Sequence, residues 1–283
     1  MIKNLKNNLH EFWYNFKKSI KRAEMAILPG HLAFFFVLAI VPTITLISYC
    51  AATLNLSTDL IFEFLGKSFS VDAANMLLAT SNDLHGFSFF LLLIIAYFLA
   101  SNGSSSIIIT SNTIYGEKQS SFLKRRIKAL IMTFILVLLF LFMIVIPIFG
   151  EKIVGLLKYV NMNESITNNA SSIISFLNGP ITWLIMYFFI KLLYIIAPNK
   201  NVLSKSVGYG AIFTTISWIL VTYIYSYYIN HVAVYTTFYG GLANIVILMI
   251  WIYFLAYAFT IGMALNYIKE EKLTETGNIE ITK

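Results

Sequence analysis

Charge is what this sequence lacks most. Only 12% of its 283 residues are Asp, Glu, Lys or Arg, while 58% are hydrophobic. Soluble domains carry about 25% charged residues. Half that fraction cannot coat a water-soluble particle of this size, so lipid must solvate most of the surface. Cysteine is almost absent as well. Cys50 has no second cysteine to pair with, and its apolar surroundings suit a packed thiol better than a reactive one. The four histidines, His10, His31, His85 and His231, are scattered, with no pair at ligand spacing, so a metallohydrolase centre has no ligands. There is no GxxxxGK[ST] phosphate loop, no GxSxG elbow and no carboxylate pair inside an apolar run. No cofactor, no metal and no enzymatic activity is expected. A cleavable signal peptide is not expected either, because the first long apolar run starts only near Ala33 and is long enough to span.

What is present is a series of long apolar runs. Six spans are predicted, at about His31–Thr53, Gly86–Ile109, Ala129–Phe149, Ile181–Ala197, Val207–Tyr227 and Leu242–Leu265. Each reaches the roughly 17 residues needed to cross the hydrocarbon layer, the fourth only just. The expected fold is all-α, a polytopic transmembrane bundle with short amphipathic interfacial helices. Residues 1–30 are predicted as a basic amphipathic cytoplasmic segment, 31–268 as the membrane domain and 269–283 as a charged cytoplasmic tail. In the first segment Leu5, Leu9, Phe12, Phe16 and Ile20 recur at helical spacing among Lys6, Lys17, Lys18, Lys21 and Arg22. This reads either as a helix on the membrane surface or as one packed on the protein's own loops. Pro29-Gly30 is expected to break the chain before the first span, Pro42 to kink that span, and Pro198 to end the fourth. One or two short amphipathic helices are expected over 55–85, and a polar outer stretch over 150–178.

The basic residues give an orientation. With the N-terminus inside, the inner segments hold Lys3, Lys6, Lys17, Lys18, Lys21, Arg22, Lys118, Lys124, Arg125, Arg126, Lys128, Lys200, Lys205, Lys269, Lys272 and Lys283. The outer segments hold Lys67, Lys152 and Lys158, and Lys191 lies within a span; 16 inside, 3 outside and 1 within account for all 20. The positive-inside rule places both termini in the cytoplasm. The net charge of +7 thus has a topological cause, and nucleic acid is not needed to explain it.

Two features could carry function. Ser101, Asn102, Ser104, Ser105 and Ser106 surround the end of the second span, followed by Thr110, Ser111 and Asn112. Polar groups on every side of a helix cannot all face lipid. They either pack through small residues or line a wet cavity. Gly103 there could mark a local break. The second feature is Lys191, the one charge well inside a span. It reads as snorkelling, as bonding to the polar end of the second span, or as an anion or headgroup contact. His31 and Asn266, at span ends, are weaker candidates for the same cavity. Tyrosines 223, 225, 227, 228, 235 and 239 suit an outer aromatic belt, and Gly240-Gly241 would let that connection turn back sharply.

The run PGHLAFFFVLAIVP (29–42) resembles the first-span signature of the YihY/BrkB family. SNTIYGEKQSSFLKRR (111–126), LLYIIAPN (192–199), GYGAIFTTISW (208–218) and YTTFYGGLANIVILMIWIYFLAYAFTIGMALN (235–266) are similar to its later motifs, in the same order. Gly210, Trp218, Tyr239, Gly240, Trp251, Tyr253, Gly262 and Asn266 fall at the matching places. The resemblance implies six helices in the bacterial inner membrane and no settled activity; members carry the labels ribonuclease BN and serum-resistance virulence factor. Many members resemble Gly-Ala-Glu-x-Asn at the end of the last span, whereas this chain has Ala264 where that glutamate is usual.

Two functional expectations follow. One is translocation of a lipid or a small anionic or amphipathic solute through a cavity walled by the second span. The residues involved would be Lys191, Ser101, Asn102, Ser105, Ser106, Asn112, His31 and Asn266, with Pro42, Pro198, Gly240 and Gly262 as structural positions. The other is an envelope-integrity or partner-binding membrane protein without transport. Membrane lipids are the expected partners, self-association is left open, and nucleic acid is not expected.

Overall fold

The structure is a computed structural model that describes residues 13–53, 59, 62, 87–159, 164–231 and 241–275. It is all-helical among these residues. A helical segment at 13–20 and a 3-10 turn at Ala23–Ala26 lead into six long helices. These are α1 (Leu28–Thr53), α2 (Phe87–Tyr115), α3 (Phe122–Tyr159), α4 (Glu164–Ile196), α5 (Ser204–His231) and α6 (Gly241–Glu275). Among the described residues, five stretches are long and apolar enough to cross a membrane: Leu28–Tyr49, Leu93–Tyr115, Gly179–Ile196, Ser204–Ile229 and Ile245–Thr274. The predicted third span lies on α3, which is helical without interruption through residue 149.

Several element boundaries differ from the sequence expectation. Pro29 does not break the chain but sits in the first turn of α1, where its missing N–H would have no helical partner anyway. Gly103 does not interrupt α2, which runs on through the polar stretch to Tyr115. Most of the stretch 150–178, expected to be a polar connection, is helical as the end of α3 and the start of α4. Polar sequence does not prevent helix formation where Glu, Lys, Leu and Ile supply the propensity. The last helix likewise continues through the expected boundary at 268 to Glu275. The predicted helices at 55–85, apart from residues 59 and 62, and Gly240, Tyr235 and Tyr239 lie outside the described residues.

The exposed and buried surfaces are inverted relative to a water-soluble protein. Phe34, Leu38, Ile94, Phe98, Leu220, Ile224, Val246, Ile250 and Phe254 are exposed. Ser101, Ser104, Ser106, Thr110, Ser111, Asn112, Thr214, Thr260 and Asn266 are buried. Helices apolar all round, with their polar groups turned inward, are what lipid selects, because it solvates CH₂ but cannot satisfy a hydroxyl. Many hydroxyls are satisfied within their own helix: Thr113, Thr215 and Thr260 each donate to the carbonyl four residues back, at 2.8–2.9 Å.

The chain forms two compact units, residues 1–39, 101–132 and 190–283, and residues 40–100 and 133–189. The second unit centres on Leu46, Ala96, Ala100 and Val137, with Leu93, Tyr97 and Leu141 packed against them. Helix α1 continues through Pro42 within this unit. The first unit contains all of α5 and α6, which pack along each other. It also contains every residue named above as a candidate for the cavity.

Candidate functional site: a buried polar seam in the first unit

The polar end of α2 is buried by close packing. Gly103 lets α1 approach; a Cβ there would lie 3.2 Å from the Ala39 Cβ. Ser101, Ser104 and Ser106 are almost wholly buried, Asn102 and Ser105 half-buried. Ser106 Oγ and His31 Nδ1 are 3.1 Å apart and share a hydrogen bond. Arg126, on α3, donates from Nη1 to Asn102 Oδ1 at 2.9 Å. The seam therefore spends its polar groups on neighbouring helices of the same unit.

One turn further on, Asn112 closes a clasp. Its Oδ1 accepts the backbone N–H of Asn199 at 2.8 Å, and its Nδ2 donates to Gln119 Oε1 at 3.1 Å. Asn199 in turn donates from Nδ2 to the Lys118 carbonyl at 2.8 Å and accepts from the Ser120 hydroxyl at 3.2 Å. Lys128 Nζ caps the Pro198 carbonyl at 2.7 Å. Gly116 turns the chain after α2 with φ of 69°, a conformation glycine adopts without steric cost. The turn after α2 and the turn after α4 are thus tied side to side.

A third group lies at the crossing of α5 and α6. Gly210 and Gly262 face each other so closely that a Cβ on Gly210 would collide with the Gly262 carbonyl and the Asn266 side chain. A Cβ on Gly262 would meet the Thr214 hydroxyl and the Tyr194 hydroxyl. Asn266 Oδ1 accepts the Gly210 N–H at 2.7 Å. The Tyr194 hydroxyl donates to the Phe259 carbonyl at 2.8 Å and lies 2.6 Å from Thr214 Oγ1. Trp218 Nε1 donates to the Leu255 carbonyl at 2.9 Å. The small-residue contact brings the helices together, and the aromatic donors fix their register.

The N-terminal segment packs on this unit. Phe16 lies 5.8 Å from Phe213, beside Met25, Ile261 and Leu265. Trp13 and Tyr14 are exposed on its other side. Over 13–20 the segment thus contacts a helix of its own unit. Arg22 donates to the Ile114 carbonyl at 2.9 Å and sits 4.9 Å above the Tyr267 ring. The Glu24 carboxyl, hydrogen-bonded to its own backbone N–H and to Arg22, is held below its ordinary value.

The candidate residues do not form one group. His31 and Ser106 meet; Asn102, Asn112 and Asn266 each belong to a separate set of bonds; Pro198 belongs with Asn112. Lys191 is half-buried in the span Gly179–Ile196 and makes no hydrogen bond or ion pair with the described residues. Of the readings given for Lys191, a bond to the polar end of α2 is not seen among the described residues. Sequence reasoning missed Tyr194, Thr214, Asn199, Gln119, Arg22 and Glu270 as members of the polar network. Glu270, placed in the charged tail, is helical and only 7% exposed. Two cues were available: a tyrosine and a threonine inside apolar spans, and the asparagine directly after Pro198. Nothing in the tail marks Glu270 as buried. Among the described residues, no three of His, Cys, Asp and Glu gather closely enough to hold a metal.

Fold and seam define a polytopic helical membrane protein whose polar groups face its own helices. The family described as Virulence factor BrkB matches residues 17–282. The chain belongs to that family. A Bacillus subtilis protein named "Putative ribonuclease-like protein YfkH" is 29% identical over 253 residues, covering 87% of this chain and 91% of that one. A UPF0761 membrane protein of Idiomarina loihiensis is 29% identical over 38% of this chain and 39% of its own length. Another, from Glaesserella parasuis, is 28% identical over 44% of each chain. No solved structure matches.

Proposed function

We propose that this protein is a non-enzymatic, non-transporting membrane protein of the bacterial inner membrane that acts through contact with envelope partners. Both termini face the cytoplasm, on the strength of 16 basic residues against 3 across the six spans. The observation that carries this reading is the buried, hydrogen-bonded seam along α2. Ser101, Ser104, Ser106 and Asn112 are buried, and Ser106, Asn102 and Asn112 are bonded to His31, Arg126 and the Asn199 turn. A wall of this kind holds helices together and commits Ser106, Asn102 and Asn112 to bonds within the unit. The word ribonuclease is said of the Bacillus relative and is not carried over to this chain.

A second reading, translocation of a lipid or small anionic solute, draws on Lys191. An ammonium half-buried in a span, with no partner among the described residues, is costly, by about 2.5–3.5 kcal/mol on insertion scales, and a phosphate headgroup would offset that. One experiment separates the two. The protein is reconstituted in liposomes, and headgroup flip and anion flux are measured for the wild type and Lys191→Met. The contact-protein reading expects no protein-dependent flux and a stoichiometric partner on purification from native membranes. Flux that Lys191→Met abolishes would replace it with the transport reading.

A further inference from the structure

The helical segment 13–20 has two unlike faces. On one, Asn15 and Ser19 are buried, and Phe16 rests against Phe213 of α5 beside Ile261 and Leu265 of α6. The Lys21 N–H bonds the Lys17 carbonyl at 3.2 Å, so the helical winding carries on to Lys21. Trp13, Lys17 and Lys21 therefore follow at four-residue steps along the opposite side, with Tyr14 and Lys18 in the next row. All five are exposed, Trp13 by 56% and Tyr14 by 62%.

This outer face is aromatic and positive at once. Lys18 pairs with Glu271 at 3.7 Å. Arg22 is taken up by Glu24, the Ile114 carbonyl and the Tyr267 ring. The Lys17 and Lys21 side chains make no hydrogen bond or ion pair with the described residues. Two positive charges thus remain beside two large aromatic rings. Water solvates ammonium groups well and an indole poorly, and hydrocarbon does the reverse. The headgroup layer of a membrane solvates both: aromatic rings collect there, and lysines meet phosphate.

The docking of Phe16 holds the face at that layer. Phe213 lies within the first three turns of the span Ser204–Ile229, and Leu265 within the last three of Ile245–Thr274, at the same end of the antiparallel pair. Tyr209, Ile212 and Ile216, within a turn of Phe213 on α5, are exposed and continue the lipid-facing surface. We propose that the face formed by Trp13, Tyr14, Lys17 and Lys21 docks on anionic phospholipid. Trp13 and Tyr14 sit at the boundary with the acyl chains, and Lys17 and Lys21 pair with the headgroup phosphates. A zwitterionic headgroup carries its own cation, whereas an anionic one leaves a net charge for the lysines. The preference for anionic lipid is roughly fivefold for each of the two lysines.

The test uses the full chain in phosphatidylcholine nanodiscs. A rising fraction of the lipid carries bromine on its acyl chains, as either phosphatidylglycerol or phosphatidylcholine. Bromine quenches nearby tryptophan, and the difference between wild type and Trp13→Phe gives the share of Trp13. That share should be quenched at a lower fraction of the brominated phosphatidylglycerol than of the brominated phosphatidylcholine. Lys17→Gln and Lys21→Gln should each remove part of the preference, and the double variant should bring the two lipids level. In the wild type the preference should shrink in about 1 M salt, where charges are screened beyond about 3 Å. Equal quenching by the two lipids, or a preference that survives the loss of both lysines, would overturn the proposal. So would a Trp13 that neither lipid quenches, which would give the face to a protein partner or to water. If the variants do not fold, a wild-type preference unmoved by salt overturns it equally.

Discussion

Asn112 on α2 accepts the backbone N–H of Asn199, 87 residues further along the chain, at 2.8 Å. This one bond ties the turn after α4 to the end of the polar helix. Asn112 is fully buried, so no water stands ready to replace it. Replacing Asn112 with Ala should leave the Asn199 N–H without a partner, costing about 1–3 kcal/mol. Asn112→Asp keeps an acceptor but buries an unpaired charge against Gln119 Oε1, so it should cost at least as much. Thermal unfolding in detergent, followed by size-exclusion fluorescence, ranks the two variants.

The crossing of α5 and α6 should tolerate no methyl group. Gly210→Ala and Gly262→Ala both place a Cβ against atoms that include the facing backbone. Each should destabilise by about 1–3 kcal/mol or more, since the helices must part. Gly30→Ala is the control. Nothing lies within 4 Å of its Cβ position, and a helical glycine gains propensity on becoming alanine, so that variant should match or exceed the wild type.

Tyr194→Phe removes a hydroxyl that bonds both the Phe259 carbonyl and Thr214. The ring stays packed against Phe259, so the loss isolates the hydrogen bonds, about 0.5–1.5 kcal/mol for each. Thr214 then has only a 3.4 Å contact to the Ala258 carbonyl. A double-mutant cycle with Thr214→Val should give non-additive losses, because the two hydroxyls share one bond.

Arg22 should not be replaceable by lysine. Its guanidinium bonds the Ile114 carbonyl and lies over Tyr267 at the same time, and one ammonium cannot do both. Arg22→Lys should weaken the docking of residues 13–20 by about 1–2 kcal/mol. Faster chymotryptic cleavage at Trp13, Tyr14 or Phe16 reports it. The Glu24 contribution has a definite sign with pH. Its carboxyl is held below the ordinary value, so that contribution is present at neutral pH and lost as pH falls through the lowered value. The Ile114 and Tyr267 contacts do not titrate there, so most of the Arg22→Lys defect should persist in mild acid.

The helices could be read from the sequence because hydrocarbon imposes one requirement on every residue that crosses it. A run such as Leu242–Leu265 has to be helical to satisfy its own backbone. Helix ends were harder to read. Pro29, Gly103 and the charged turn at Lys269–Lys272 look like breaks in sequence and are all helical. The first needs no N–H, the second meets a close neighbour, and the third carries a buried glutamate that pairs with Lys200.

The sequence by itself determined the solvent, the helical class, the near-boundaries of the spans and the asymmetry of positive charge. All of these follow from composition and order along the chain. Tertiary structure decided what the polar groups do. Which bonds Ser106, Asn102 and Asn112 make rests on where His31, Arg126 and Asn199 fall in space. A hydrogen bond between residues 75 or 87 positions apart leaves no local pattern. Only the packing of helices brings its two ends within 3 Å or so.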